Sequence, residues 1–109
     1  MAAAEELVTL AWLAGRAVPL DEDELRGAQR RTMLLLASGG DPNRGLDLDG
    51  RAVTALADEF DTPERREALL GGLRPLAPEA PQAELLLADP GLAWRAFACG
   101  LLAEELADD

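Results

Sequence analysis

The chain has 109 residues, of which 49% are hydrophobic and 28% are charged, and its formal net charge is −11. This composition is typical of a folded globular protein, and the length predicts a single helical domain over residues 1–109. A chain this acidic is repelled by phosphate backbones and by anionic membrane surfaces, so we expect no nucleic acid and no membrane among its partners.

Leu and Ala make up most of the hydrophobic residues, and Ile and Tyr are absent. This usage favours helices over strands, because pleated sheets prefer β-branched and aromatic side chains. The predicted fold class is therefore all-α, a compact single-domain array or bundle of about five to six short helices.

In chain order, the first predicted helix runs from about Ala3 to Val18 and ends at Pro19. The second begins near Asp21, whose carboxylate can cap its first turn, and stops at Gly39-Gly40. Its second half carries Leu34-Leu35-Leu36, which is apolar around much of the helix, and we expect this half to be deeply buried. Residues 41–48 form the predicted loop.

The third predicted helix starts around Asp49 and turns four residues inward, namely Val53, Leu56, Ala57 and Phe60. Thr62 is then a good N-cap for a fourth helix, and Pro63 suits the first helical position because its missing N–H costs nothing there. Gly71-Gly72 either weakens or ends that fourth helix. Residues 76–81 follow as a proline-rich linker between packed helices.

A short fifth helix covers about Gln82 to Ala88, and Asp89-Pro90 starts a last helix that reaches about Leu106. This last helix is apolar nearly all round, so we expect it to be either the central helix of the fold or a buried dimer interface. Its candidate interface residues are Leu92, Trp94, Phe97 and Leu101. Trp12 and Trp94 are expected to be core anchors, and either would become an interface hot spot if it proved exposed.

The residue inventory excludes most catalytic mechanisms. His, Lys and Tyr are absent, which removes the commonest general base, Schiff-base chemistry and the lysine of a phosphate-binding loop. Ser38 is the only serine, and Cys99 is the only cysteine. Cys99 lies in the most apolar helix and is expected to be a small core residue. We therefore expect no enzyme and no cofactor.

An acidic loop offers an alternative function. Asp41, Asp47 and Asp49 could supply oxygen ligands to a divalent cation or bind a cationic ligand. The spacing fails the EF-hand pattern, because no register places both the turn glycine and the final glutamate correctly. Turn and cap roles explain these aspartates more simply.

A weaker alternative is transcriptional regulation. The segment Val53–Leu70 resembles a helix-turn-helix, with Ala57 in its first helix and Asp61 in its turn. Glu67 falls where an apolar residue should pack, and acidic groups crowd the reading helix. DNA binding by this segment is therefore not expected.

The leading interpretation is a non-enzymatic module for protein–protein interaction or self-association, which docks on a basic protein or on a second copy of the chain. Its location is expected to be cytoplasmic. The first residues lack the basic start and apolar run of a secretory signal, and no stretch approaches the ~20 apolar residues that span a bilayer.

Overall fold

The computed structural model of the chain describes residues 4–38, 48 and 50–107. Two short 3₁₀ turns, Gly15–Ala17 and Arg74–Leu76, accompany six α-helices in these ranges. The helices are α1 Ala4–Ala14, α2 Glu22–Ser38, α3 Arg51–Phe60, α4 Pro63–Leu73, α5 Pro81–Ala88 and α6 Pro90–Ala107. The described ranges contain no strand, and the predicted all-α compact array of short helices is confirmed.

Helix α6 is the centre of the fold, which is one of the two roles that the sequence left open for it. It packs against each of the other five α-helices. Every residue from 93 to 102 except Arg95 is buried. A helix apolar on every side is stable only when neighbours surround it, and α6 has such neighbours.

Side-chain caps set three helix starts as predicted. Asp21 Oδ1 accepts hydrogen bonds from the amides of Asp23 at 2.9 Å and Glu24 at 3.1 Å. Thr62 Oγ1 accepts one from the amide of Arg65 at 3.2 Å. Asp89 Oδ1 accepts one from the Leu92 amide at 3.2 Å. These oxygens satisfy amide donors that a helix leaves unpaired in its first turn.

The start of α3 differs from the prediction by about one residue. Its N-cap is Gly50, which has extended backbone angles and supplies no side-chain cap. Asp49, the residue expected at this start, lies outside the described residues. The inward-facing set of α3 is confirmed, because Val53, Leu56, Ala57 and Phe60 are all buried.

Two glycines allow backbones or rings to come unusually close. A Cβ at Gly72 would lie 2.3 Å from the carbonyl oxygen of Ala14, so α4 and the end of α1 meet backbone to backbone there. A Cβ at Gly15 would lie 2.3 Å from the Phe97 ring. Helix α1 ends at Ala14, four residues before the predicted end, and gives way to a 3₁₀ turn over this ring. Gly71-Gly72, by contrast, does not end α4, which continues to Leu73.

The second half of α2 is not deeply buried, and that prediction was wrong. Leu34 keeps 70% of its surface exposed and Leu35 keeps 41%. Of the helices, only α3 and α6 pack against α2 to any extent. Two neighbours cannot enclose a helix that is apolar around much of its circumference, so one side of α2 faces solvent.

Two buried side chains tie α6 to its neighbours through polar contacts. Trp94 Nε1 donates a hydrogen bond to the Ala57 carbonyl oxygen at 2.7 Å. Gln29 Nε2 donates one to the Leu101 carbonyl oxygen at 2.9 Å. Such contacts fix the register of α6 against α3 and α2, since a buried donor left without a partner costs about 1–3 kcal/mol.

Within the part of the chain that the structure describes, no single helix is long and apolar enough to cross a membrane. Only α5 and the first part of α6 taken together reach that length and apolarity, and they are bent by 114° at their junction.

Candidate protein-docking cleft

Three of the four candidate interface residues lie in the core of a single chain. Trp94, Phe97 and Leu101 expose only 2%, 3% and 5% of their surface, and the two aromatic rings stack at an angle with centroids 5.3 Å apart. Leu92 is partly buried. These side chains fill the space between helices of their own chain, so they offer a partner little to contact. This corrects the expectation that these residues form an interface. Helix α6 is the central helix, and its buried aromatic residues form no open surface.

Trp12 behaves differently from Trp94. It is only partly buried and lines an apolar cleft of about 330 Å³ between α1 and α6. The other lining residues are Val8, Thr9, Gly100 and Ala103. We call this the α1–α6 cleft. Of the two tryptophans, Trp12 is the more accessible, although it is partly buried and not exposed.

The α1–α6 cleft runs between two antiparallel helices. Gly15 faces Phe97, and Trp12 faces Gly100 one turn further along α6. Gly100 makes this approach possible, because a Cβ there would lie only 3.3 Å from Trp12 Cε3 and 3.6 Å from Val8 Cγ1. Because Gly100 has no side chain, the Trp12 ring lies directly against the apolar base of the cleft.

A second cleft lies on the other flank of α1. It has a volume of about 400 Å³ and lies between α1 and α5. Its lining residues are Glu5, Glu6, Thr9, Leu10, Ala80 and Gln82. Thr9 borders both clefts, so α1 separates them. We call the second one the α1–α5 cleft.

Carboxylates give the α1–α5 cleft an acidic character. Glu6 Oε2 accepts a hydrogen bond from Gln82 Nε2 at 2.7 Å, which joins the starts of α1 and α5. Glu5 is exposed and forms no ion pair with any basic side chain in the described ranges. An exposed carboxylate without a cationic neighbour is free to attract one from a partner.

A third cleft, between α2, α3 and α4, contains charged side chains whose contacts within the chain explain their presence. Its arginines are already engaged within the chain: Arg31 pairs with Glu59. Arg65 donates to the carbonyl oxygens of Pro19 at 3.2 Å and Phe60 at 3.4 Å, and its guanidinium lies 5.4 Å from the centre of the Phe60 ring. The first pair joins α2 to α3, and Arg65 joins α4 to the end of α3 and to the segment before α2.

The candidate cation ligands Asp41, Asp47 and Asp49 lie outside the described residues, so the cation-binding hypothesis stays a prediction. No group of three or more His, Cys, Asp or Glu side chains suited to a metal ion occurs among the residues that can be described. Cys99 is buried at 6% exposure, as expected of a small core residue.

The segment that resembles a helix-turn-helix corresponds to α3 and α4. These helices follow each other with two residues between them, but the main neighbours of α3 are α2 and α6. The first two helices of a helix-turn-helix form a packed pair, whereas these make at most marginal contact. Glu64 and Glu67 are exposed on α4 and balance the charges of Arg65 and Arg66, so this helix presents no net basic surface.

Comparison with known protein families, with curated proteins and with solved structures finds no match to this chain. The interpretation of the α1–α6 cleft as a candidate docking site therefore rests on its geometry alone. Sequence reasoning missed Val8, Thr9, Gly100 and Ala103 as its lining. The sequence pattern that could have indicated the cleft is the width of the apolar stripe on α1. This stripe is wider than the surface that α6 alone can cover.

Proposed function

We propose that this chain is a non-enzymatic protein-interaction module that binds a basic partner through the α1–α6 cleft. The observation that carries the proposal is the position of Trp12, which lies partly open beside Gly100 in an apolar cleft while the other tryptophan is enclosed. Tryptophan is among the residues most enriched at the energetic centres of protein interfaces.

The surface around the cleft supports docking of another protein. Leu13, one residue after Trp12, keeps 47% of its surface exposed. Leu13 lies about 100° further around α1 than Trp12, so this exposed apolar side chain lies beside the α1–α6 cleft and not in line with Val8 and Trp12. A groove between two helices with an aromatic wall is a common receptor for an apolar side chain of a partner helix.

Charge favours a basic partner over a second copy. Each copy carries a formal net charge of −11, so two copies repel each other beyond the contact itself. A basic protein is instead attracted, and complementary charge raises its association rate. The acidic α1–α5 cleft lies beside the proposed docking site and adds a local attraction for basic side chains.

The proposal also retains two expectations from the sequence. A chain without His, Lys or Tyr retains carboxylates as its main proton-transfer groups, and this narrow choice favours binding over catalysis. A cytoplasmic location is part of the same proposal.

Site-specific photocrosslinking in the native host tests the proposal. A photoreactive benzoylphenylalanine replaces Thr9, which borders the cleft, or, as a control, Asp58, which is exposed on α3. Helix α3 is not among the neighbours of α1. We expect the Thr9 position alone to give a crosslinked product containing a basic protein.

A second variant checks that the cleft itself is responsible. Ala103→Arg fills the cleft with a cationic side chain on an outer position of α6 and should abolish the Thr9 crosslink. A product of twice the mass of the chain would contradict the basic-partner proposal in favour of self-association. Equal crosslinking from Thr9 and Asp58, or none from either, would contradict the cleft as a docking site.

A further inference from the structure

We infer that the docking element of the partner is a basic amphipathic helix that crosses α1. It places an apolar side chain in the α1–α6 cleft and, seven residues away, a Lys or Arg in the α1–α5 cleft. This inference rests on the proposed function and adds to it the chemistry and spacing of the partner.

The spacing between the two partner side chains follows from the width of α1, which separates the clefts. Thr9 borders both clefts, so they lie on opposite flanks of the same turn of α1. An α-helix with its side chains is about 10–12 Å across, and seven residues of a crossing helix rise about 10.5 Å. Positions seven apart also lie on one face of a helix, so both side chains can point down to α1.

The two clefts differ in chemistry, and this fixes which side chain enters which. The α1–α6 cleft presents Val8, Trp12 and Ala103 and contains no charged lining residue. The α1–α5 cleft presents Glu5 and Glu6 above the apolar surface of Leu10 and Ala80. A long cationic side chain fits the latter, because its methylene stem can cover apolar surface while its charged end meets a carboxylate.

A helix fits this surface better than an extended strand. A strand would leave its backbone N–H and C=O groups to be satisfied by a sheet edge, and the described ranges contain no strand to provide one. A helix satisfies its backbone groups internally and presents side chains alone. A second copy of this chain is a poorer occupant, since its net charge of −11 matches that of the surface.

Calorimetry with two synthetic helical peptides tests the inference on the full chain. Both are alanine-based, carry a capped N-terminus and have the same composition. One places Leu and Arg seven residues apart, and the other places them five apart, which turns them away from a common face. We expect the first peptide to bind at least about tenfold more tightly than the second.

Chain variants assign the contacts. Glu5→Gln should weaken the first peptide about fivefold, and Ala103→Arg should abolish its binding. Glu79→Gln removes an exposed carboxylate outside both clefts and should change the affinity less than twofold after correction for net charge.

The outcomes distinguish the proposed function from the inference about the partner helix. Equal binding of both peptides, or no binding of either at millimolar concentration, overturns the helix and its spacing. If the crosslink from Thr9 still forms in that case, the proposed function stands and the partner binds in another way. If that crosslink is missing too, the proposed function falls with it.

Discussion

Gly72→Ala should destabilise the fold although alanine favours helices. The new Cβ would lie 2.3 Å from the carbonyl oxygen of Ala14, 2.9 Å from its carbonyl carbon and 3.0 Å from its Cα. All three atoms belong to backbone, so no side chain can turn aside. The two helices must separate by about 1 Å to restore an ordinary contact, and overpacking of this kind costs about 1–3 kcal/mol.

Gly71→Ala provides a matched control in the same helix. Its added Cβ meets only the end of the Arg74 side chain, at 4.0 Å. This variant should gain about 0.5–1 kcal/mol from helix propensity alone. Both variants receive that gain, so the difference between them isolates the strain at the contact with Ala14.

Urea denaturation followed by far-ultraviolet circular dichroism measures this difference. We expect Gly72→Ala to unfold at lower urea than Gly71→Ala, with a free energy of unfolding lower by about 1–3 kcal/mol. In thermal unfolding the same strain lowers the Tm by several degrees. A difference below about 0.5 kcal/mol would refute the close backbone contact between α4 and the end of α1.

Three further changes are expected to act on stability, each measured by urea denaturation. Thr62→Ala removes the N-cap of α4 and should cost about 1 kcal/mol. Trp94→Phe removes the 2.7 Å hydrogen bond to the Ala57 carbonyl oxygen in the core and should cost about 1–3 kcal/mol, a smaller loss refuting that bond. Arg66→Gln breaks the two 2.8 Å contacts to Asp61 at the surface and should cost less than about 1 kcal/mol, an effect that added salt reduces.

Most of the helices could be predicted from the sequence because their ends are marked locally. Asp21, Thr62 and Asp89 cap helices by contacts to residues two or three positions away. The period of apolar residues likewise identified the inner side of α3. Signals of this kind need no knowledge of the tertiary fold.

Features that depend on packing could not be predicted in this way. The exposure of Leu34 reflects how few helices surround α2, which no local pattern records. The shortening of α1 reflects Phe97, a residue far along the chain that meets Gly15. The predicted end at Val18 also disregarded a local rule, because a residue before proline favours extended angles, and Val18 adopts them.

The α1–α6 cleft was missed for the same reason. The sequence left α6 either central or at an interface because it is apolar nearly all round, and five neighbouring helices cover it. Helix α1 is at least as apolar as α6, but it packs against fewer helices and keeps Trp12 partly open. Which apolar helix becomes central is a property of the whole arrangement.

The most direct test of the docking proposal is fluorine NMR of the chain labelled with 5-fluorotryptophan. The two tryptophans give two resonances, which a Trp12→Phe variant assigns. The protein captured through Thr9 is then purified and added. We predict that the Trp12 resonance shifts while the Trp94 resonance, in the core, stays in place. Binding that leaves the Trp12 resonance unchanged would contradict the proposal.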